Sequence, residues 1–367
     1  MKKSVLALTV AAIAFAGAAN AKTVVYDKDG TQFYVDGRVY ANFDNKSAAG
    51  NKDSSIFNSS RFGVGGKTKL TDGVYGIGYT QWDMSDSTGA DQNNTTKVRD
   101  QYVGVDFGDF GVVKMGRFKT QLVRVGEIVD DIIERNGCLA IADERRSGQL
   151  SYNWLGYGVE LGLAAQTAVN NATVDFLPDG KANIDVGGSG FVAYTTPSVL
   201  FGPIRIAAGY EHLKFQDDNN GYKGDYDKQS TWSASLLWGA GDKKPGFTVG
   251  AVYTGTKTDA FNKDNDIKTN AAAGMISYTF DSGVTLATEY QFVESKQDDG
   301  SYANMQRVPV QVFWTINPNF KVFAVASFAV DENKLHDDDG KALTDGYVRN
   351  LDVSGDNLYR IGAMYTF

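Results

Sequence analysis

The side chains best equipped to do work in this sequence are charges, and they fall into two sets. Arg38, Arg61, Arg99 and Arg145 each sit in a stretch that alternates apolar and polar residues, always on the polar parity. Around Arg145 that parity continues through Ser147, Gln149, Ser151 and Asn153. The second set is Glu127, Asp130, Asp131 and Glu134. Read at about 100° per residue, they share one face of a short helix expected over Gly126 to Glu134, with Ile128, Val129, Ile132 and Ile133 on the other face. Arginine stays charged and presents a fixed fork of donors, so arginines opposed to carboxylates across a water-filled passage would set up a strong transverse field. Each arginine also has a plainer reading, as a solvated side chain or the partner of a nearby aspartate. The helix likewise could be an ordinary solvated surface helix.

Other chemistry has little support. The two histidines, His212 and His336, have no serine placed with them in a way that suggests a nucleophile, so no enzyme is expected. Gly63 to Thr68 ends like a phosphate loop, but Arg61 stands where the first glycine is needed and no helix follows. The acidic runs at Asp264 to Asp266 and Asp337 to Asp339 lack the spacing of a calcium loop and read as solvated tips. Cys138, the single cysteine, reads as a small buried thiol and rules out a disulfide framework. Neither cofactor nor metal is expected.

What positions the charges is a long series of alternating strands. Gln32 to Asp44 sets Phe33, Val35, Val39, Ala41 and Phe43 against Tyr34, Asp36, Arg38, Tyr40 and Asn42, one apolar face and one wet one. The pattern recurs at 58–70, 73–84, 96–107, 112–118, 145–154, 157–168, 186–197, 204–215, 229–239, 247–257, 268–280, 284–295, 303–316, 320–331 and 355–367, sixteen strands in all. Connections alternate between short turns, such as Thr71-Asp72, and long polar stretches, such as Glu332 to Ser354. An even strand number with short turns on one rim and long loops on the other predicts an all-β fold, a sixteen-stranded antiparallel transmembrane β-barrel. About sixteen strands leave an aqueous channel. The segment Lys119 to Arg146 interrupts the series, and its acidic helix is expected to fold into the lumen and narrow it. Aromatic pairs near strand ends, among them Trp232 with Trp238 and Phe247 with Tyr253, suit the two membrane interfaces.

Met1 to Ala21 has two lysines, an apolar run and Ala19-Asn20-Ala21, which reads as a secretory signal followed by one domain over 22–367. Without Lys2 and Lys3 the 36 basic side chains become 34 against 44 acidic ones, a formal charge of −10. That balance excludes nucleic acid as a partner. Only six prolines but 41 glycines suits many strands and tight turns.

Three stretches carry a family resemblance: TVVYDKDGTQFYVDGRVYANFD, SSRFGVGGKTKLTDGVYGIGYTQWD and KVRDQYVGVDFGDFGVVKMGR. They resemble the opening strand, the second hairpin and the lead into the constriction loop of the general porins of Gram-negative outer membranes. The likeness implies that Arg38, Arg61, Arg99 and Arg145 form the basic cluster of a pore constriction, with Glu127, Asp130, Asp131 and Glu134 in an inward-folded third loop. The family's Pro-Glu-Phe-Gly-Gly turn is absent. The likeness further implies a homotrimer in outer-membrane lipid and lipopolysaccharide, passing small hydrophilic solutes and ions by passive diffusion. From the acidic balance a weak preference for cations is expected. A sugar-selective channel, with Tyr34 or Tyr40 stacking on sugar rings, and a structural or adhesive surface barrel stand as alternatives.

Overall fold

The computed structural model describes residues 22–45, 55–88, 91–130, 145–177, 180–216, 226–239, 244–261, 266–298, 302–330, 334–336 and 357–367. Alternation becomes geometry at once. In β2 (Thr31–Asp44), Val39 and Phe43 are about half exposed, while Asp36, Tyr40 and Asn42 are buried. Residues one apart thus face opposite sides of the sheet, as a pleated strand requires.

The first half of the wall is built from β3 (Ser55–Thr71), β4 (Val74–Thr88), β5 (Asp91–Asp106), β6 (Val112–Lys119), β7 (Arg145–Gly156), β8 (Val159–Gln166) and β9 (Val169–Thr173). The second half runs through β10 (Lys181–Thr195), β11 (Ile204–Phe215), β12 (Tyr226–Gly239), β13 (Gly246–Ala260), β14 (Ile267–Thr279), β15 (Val284–Gln297), β16 (Tyr302–Asn317), β17 (Phe320–Ala329), β18 (Lys334–His336) and β19 (Leu358–Thr366). All pairings are antiparallel. These segments make sixteen barrel strands because three strands are built from two pieces each. β8 and β9 both pair with β10, and β17 and β18 both pair with β16. The third composite joins β19 to β1 (Thr23–Lys28), since both lie along β2. β19 also pairs with β17, which closes the ring.

β1 was not among the expected strands. Its hairpin to β2 turns at Asp29-Gly30, both with positive φ, 54° and 76°, the geometry that Asp-Gly favours in two-residue hairpins. Two further strand segments, β9 and the first residues of β10, fall within what reads in sequence as a single long loop, Val169 to Asp185.

The outer face carries the expected aromatic rims, and they are tied down. The indole N–H groups of Trp154, Trp238 and Trp314 donate to the backbone carbonyls of Asp109 (3.0 Å), Val199 (2.9 Å) and Ser282 (3.1 Å), each in a turn at the short-loop rim. A ring facing hydrocarbon with its polar tip satisfied at the edge is the usual arrangement for Trp at an interface. Among the described residues no helix is long and apolar enough to cross a membrane; the strands do so.

Inside, the wall is less uniformly polar than alternation alone suggests. Ala207, Leu237, Val252, Ala271, Ala273, Met275, Ala287 and Val293 form one buried cluster with Leu122 and Val125 of the segment after β6. A second cluster seats Val174 and Leu177, which follow β9, on Ile184, Leu213, Phe215, Tyr226 and Ile267. Both clusters have one cause. Where a loop folds inward and excludes water, the wall beneath it needs apolar side chains.

Candidate functional site

The four arginines lie along one stretch of wall, on β2, β3, β5 and β7. Arg38 and Arg61 are directly opposite each other in register, and Arg61 is in turn opposite Asp83. Arg61 Nε donates to Asp83 Oδ1 at 3.2 Å, and Arg99 Nη1 donates to Asp83 Oδ2 at 3.4 Å. One carboxylate therefore sits between two guanidiniums. Arg145 Nε donates to Asp100 Oδ1 at 3.2 Å, and the Arg38 guanidinium lies 5.5 Å from the Tyr40 ring centroid.

The positions of Arg99 and Asp100 depend on a bulge. Gln81 pairs with Asp100 while the next residue, Trp82, pairs with Val98, so Arg99 is the extra residue of β5. A bulge shifts the parity of everything after it. Arg99 keeps the inward parity of the first half of the strand and Asp100 takes that of the second half. Simple alternation predicts the first and misses the second. Asp83, in contrast, is on the inward parity of β4 throughout. The basic wall thus contains two carboxylates of its own, and the plainer reading of the arginines, pairing with nearby aspartates, describes Arg61, Arg99 and Arg145.

Just below, toward the short-turn rim, Asp36 is buried in a polar knot. The Tyr79 hydroxyl donates to it at 2.9 Å and Gln81 Nε2 at 3.1 Å. Tyr34, Tyr79, Tyr102 and Phe118 follow one another around the lumen at ring-centroid separations of 6.2, 5.7 and 6.1 Å. They can close up because β3 offers glycine between them. A Cβ at Gly65 would stand 2.6 Å from Tyr34 Cζ, and one at Gly63 would stand 2.5 Å from the Tyr79 oxygen.

The inward helix, α1, spans Val123–Asp130 among the described residues, starting earlier than the periodicity from Gly126 to Glu134 suggests. Glu127 and Asp130 fall on it; Asp131, Glu134 and Cys138 lie outside the described residues. Its first turn rests on the wall of β10 to β13, which in a ring of sixteen stands opposite the β19/β1 composite and β2 to β4. Gly209 leaves room for this contact, since a Cβ there would meet Val125 Cγ2 at 2.8 Å.

Polar side chains that the sequence reading did not single out hold the helix in place. Arg205 Nη2 donates to the Arg124 carbonyl (3.1 Å), and the Ser235 hydroxyl donates to that of Val125. Glu160 accepts from Arg205 Nε at 2.9 Å and from Arg124 Nη2 at 3.5 Å, and Arg124 Nη1 also reaches Asn153 Oδ1 at 3.3 Å. Nearby, buried Arg146 pairs with Glu211 at 2.5 Å. Glu160, Arg205 and Glu211 all stand on inward parity, so the alternation that located the four arginines would have located these too.

A barrel with a charged inner wall and a helix seated inside it against other strands has the architecture of a channel. The sequence description of the Gram-negative porins matches residues 7–367. The chain belongs to the Gram-negative porin family. Outer membrane protein YedS of Escherichia coli is 26% identical over the whole of both chains. Porin-like protein L of Photobacterium profundum is 26% identical over 89% of this chain and 92% of its own. Among solved structures, Salmonella typhi OmpF in complex with daunomycin has a TM-score of 0.71 at 18% identity, covering 94% of this chain and all of that one. The trimer form of OmpT from Vibrio cholerae has a TM-score of 0.64 at 17% identity over 92% of this chain and all of that one. At such identities the structures speak for the fold. This porin is a β-barrel of the Gram-negative outer membrane, a passive channel and not an enzyme.

Proposed function

We propose that the channel passes small hydrophilic solutes and ions by diffusion with a weak preference for cations, and that its narrowest part lies between the wall of Arg38, Arg61, Arg99 and Arg145 and the loop carrying Glu127, Asp130, Asp131 and Glu134. The observation that carries the cation preference is the placement of Asp83 and Asp100 among the arginines. They offset much of the positive charge on that wall, in a chain whose formal charge is −10 once Lys2 and Lys3 are removed with the leader. The trimer form of OmpT supports a homotrimer here, and outer-membrane lipid and lipopolysaccharide would surround it. Mass spectrometry of the membrane-extracted protein should find Lys22 at the N-terminus.

The experiment is a planar-bilayer recording under a salt gradient. A reversal potential on the cation side is expected. Neutralising the four loop acids together to Gln or Asn should move it toward anions, because charges within about 10 Å in 0.1 M salt are incompletely screened. No change in a variant that still inserts and conducts would remove the loop acids from the constriction. The ladder Tyr34, Tyr79, Tyr102 and Phe118 favours one second reading, a channel that retains sugars by stacking. Saturable block of the current by a sugar would select it over the general pore.

A further inference from the structure

Below the arginines, the aromatic ladder of the lumen carries cations of its own. Lys22 Nζ lies 4.4 Å from the Tyr34 ring centroid and 5.9 Å from that of Tyr79, and Lys114 Nζ lies 4.8 Å from Tyr102 and 4.2 Å from Phe118. The ladder therefore has an ammonium over the rings at either end. Between them stands Tyr79, whose one cation is near the limit of about 6 Å at which such contacts count. Lys22 is exposed, and Tyr79, Tyr102 and Lys114 are half-buried, so a solute in the lumen can reach them.

Among the described residues neither ammonium has a carboxylate within 4 Å. Asp36 and Asp100, which share this stretch of wall, are engaged elsewhere: Asp36 accepts from Tyr79 and Gln81, and Asp100 accepts from Arg145. The rings hold the ammoniums in place without offering a lone pair to their N–H donors, so an anion can be added to each. A neutral sugar fares worse at the ends of the ladder, because it would have to displace a cation to stack there. Between the ends, the hydroxyls of Tyr34 and Tyr102 make no hydrogen bond among the described residues and can serve polar groups on a ligand.

We propose that this stretch of the lumen is a binding site for a phosphorylated sugar, with the phosphate held by Lys22 or Lys114 and the sugar ring laid against Tyr79. The two cations decide for an anion. A phosphate monoester, with a charge of about −1.5 to −2 at neutral pH, gains more from an ammonium than a carboxylate does. The open ring of Tyr79 decides for a flat-sided group, and the hydroxyls of Tyr34 and Tyr102 decide for one that bears hydroxyls of its own. The inference deepens the second reading above by giving the sugar a charge, and it rests on the lumen being a path for solutes. A weak cation preference is set where the pore is narrowest, above these lysines, and is compatible with the site.

The test is a calorimetric titration of the folded protein in neutral detergent with glucose 6-phosphate, repeated as a block of current in a planar bilayer. Saturable binding is expected, tighter than that of glucose or of inorganic phosphate, together with saturable block. Lys114→Gln should raise the half-saturating concentration about fivefold, the most that one partly exposed ion pair supplies, and Lys114→Arg should keep it. Lys321→Gln removes an ammonium 4.7 Å from the Phe313 ring on another part of the wall and should leave binding unchanged. If Lys114→Gln fails to fold, Lys22→Gln decides, with the same loss expected. Binding no tighter than that of glucose or inorganic phosphate, or binding unchanged in the glutamine variants at the two lysines, would overturn the proposal. Open conductance without binding removes this site alone, whereas binding without conductance keeps the site and removes the diffusion reading.

Discussion

Arg99 and Asp100 are consecutive in the chain and stand on the same side of the sheet. The bulge in β5 makes this possible, and it lets Arg99 reach Asp83 while Asp100 receives Arg145. The charge pattern of the wall therefore depends on a backbone irregularity as much as on side-chain identity.

The first prediction concerns that pattern. Asp83→Asn leaves Arg61 and Arg99 without the carboxylate between them, so the cation-to-anion permeability ratio should fall by about twofold, the effect of one unit charge felt partly through water. Arg61→Gln should shift it the other way. Reversal potentials measured on both variants check the sign, and movement in the same direction would mean that the wall does not touch the ion path.

A second prediction addresses the seat of α1. Glu160 receives both Arg124 and Arg205, and Arg205 in turn holds the Arg124 carbonyl. Removing one member of a largely buried pair costs about 3 kcal/mol. Glu160→Gln should loosen the entry to the helix and appear in single-channel records as frequent transitions between sublevels. Records as quiet as those of the unmodified channel would show that the apolar contacts of Leu122 and Val125 suffice.

Lipid-facing parity can be checked at Val39, about half exposed on β2. Val39→Arg places a cation in hydrocarbon at a cost of about 2 to 4 kcal/mol near the midplane. Insertion into vesicles, read by the heat-dependent gel shift of the folded barrel, should drop, while Val39→Leu should insert normally.

The closing seam offers a fourth. Gly37 N–H donates to the Phe367 carbonyl at 2.8 Å, Phe367 N–H donates back at 2.9 Å, and the Phe367 ring lies over the place a Cβ at Gly37 would need. Gly37→Val should destabilise the barrel by about 1 to 3 kcal/mol through overpacking. The temperature at which the folded band is lost on a gel should fall accordingly.

Much of this fold was legible because a membrane-spanning barrel writes its environment into every second residue. All sixteen expected strand positions contain strands, and the interruption from Lys119 to Arg146 holds the inward helix. What alternation could not supply is what breaks alternation. Asp100 was hidden by the bulge, and β1 was passed over although its Asp-Gly turn is visible in the sequence. The helix start was misjudged because Leu122 and Val125 are apolar for the sake of a distant wall, which local periodicity does not report. Glu160, Arg205 and Glu211 stand on the same inward parity as the four arginines, so alternation makes them legible as lumen residues, while their grouping around the entry to α1 depends on how the helix folds inward.

The way the ring is closed also has a kinetic meaning. Every described pairing joins segments close together in the chain, with one exception, β19 with β2, where Arg38 reaches Met364 across 326 positions. The near pairings can form as successive hairpins, each with a small loss of chain freedom. The last one must bring together the ends of a very long loop, at an entropic cost of about 4 kcal/mol relative to the shortest hairpin turns. A chain built in this way should assemble as a growing ribbon and then meet one slow step, so that its folding rate is governed by a single zipper rather than by the number of its strands.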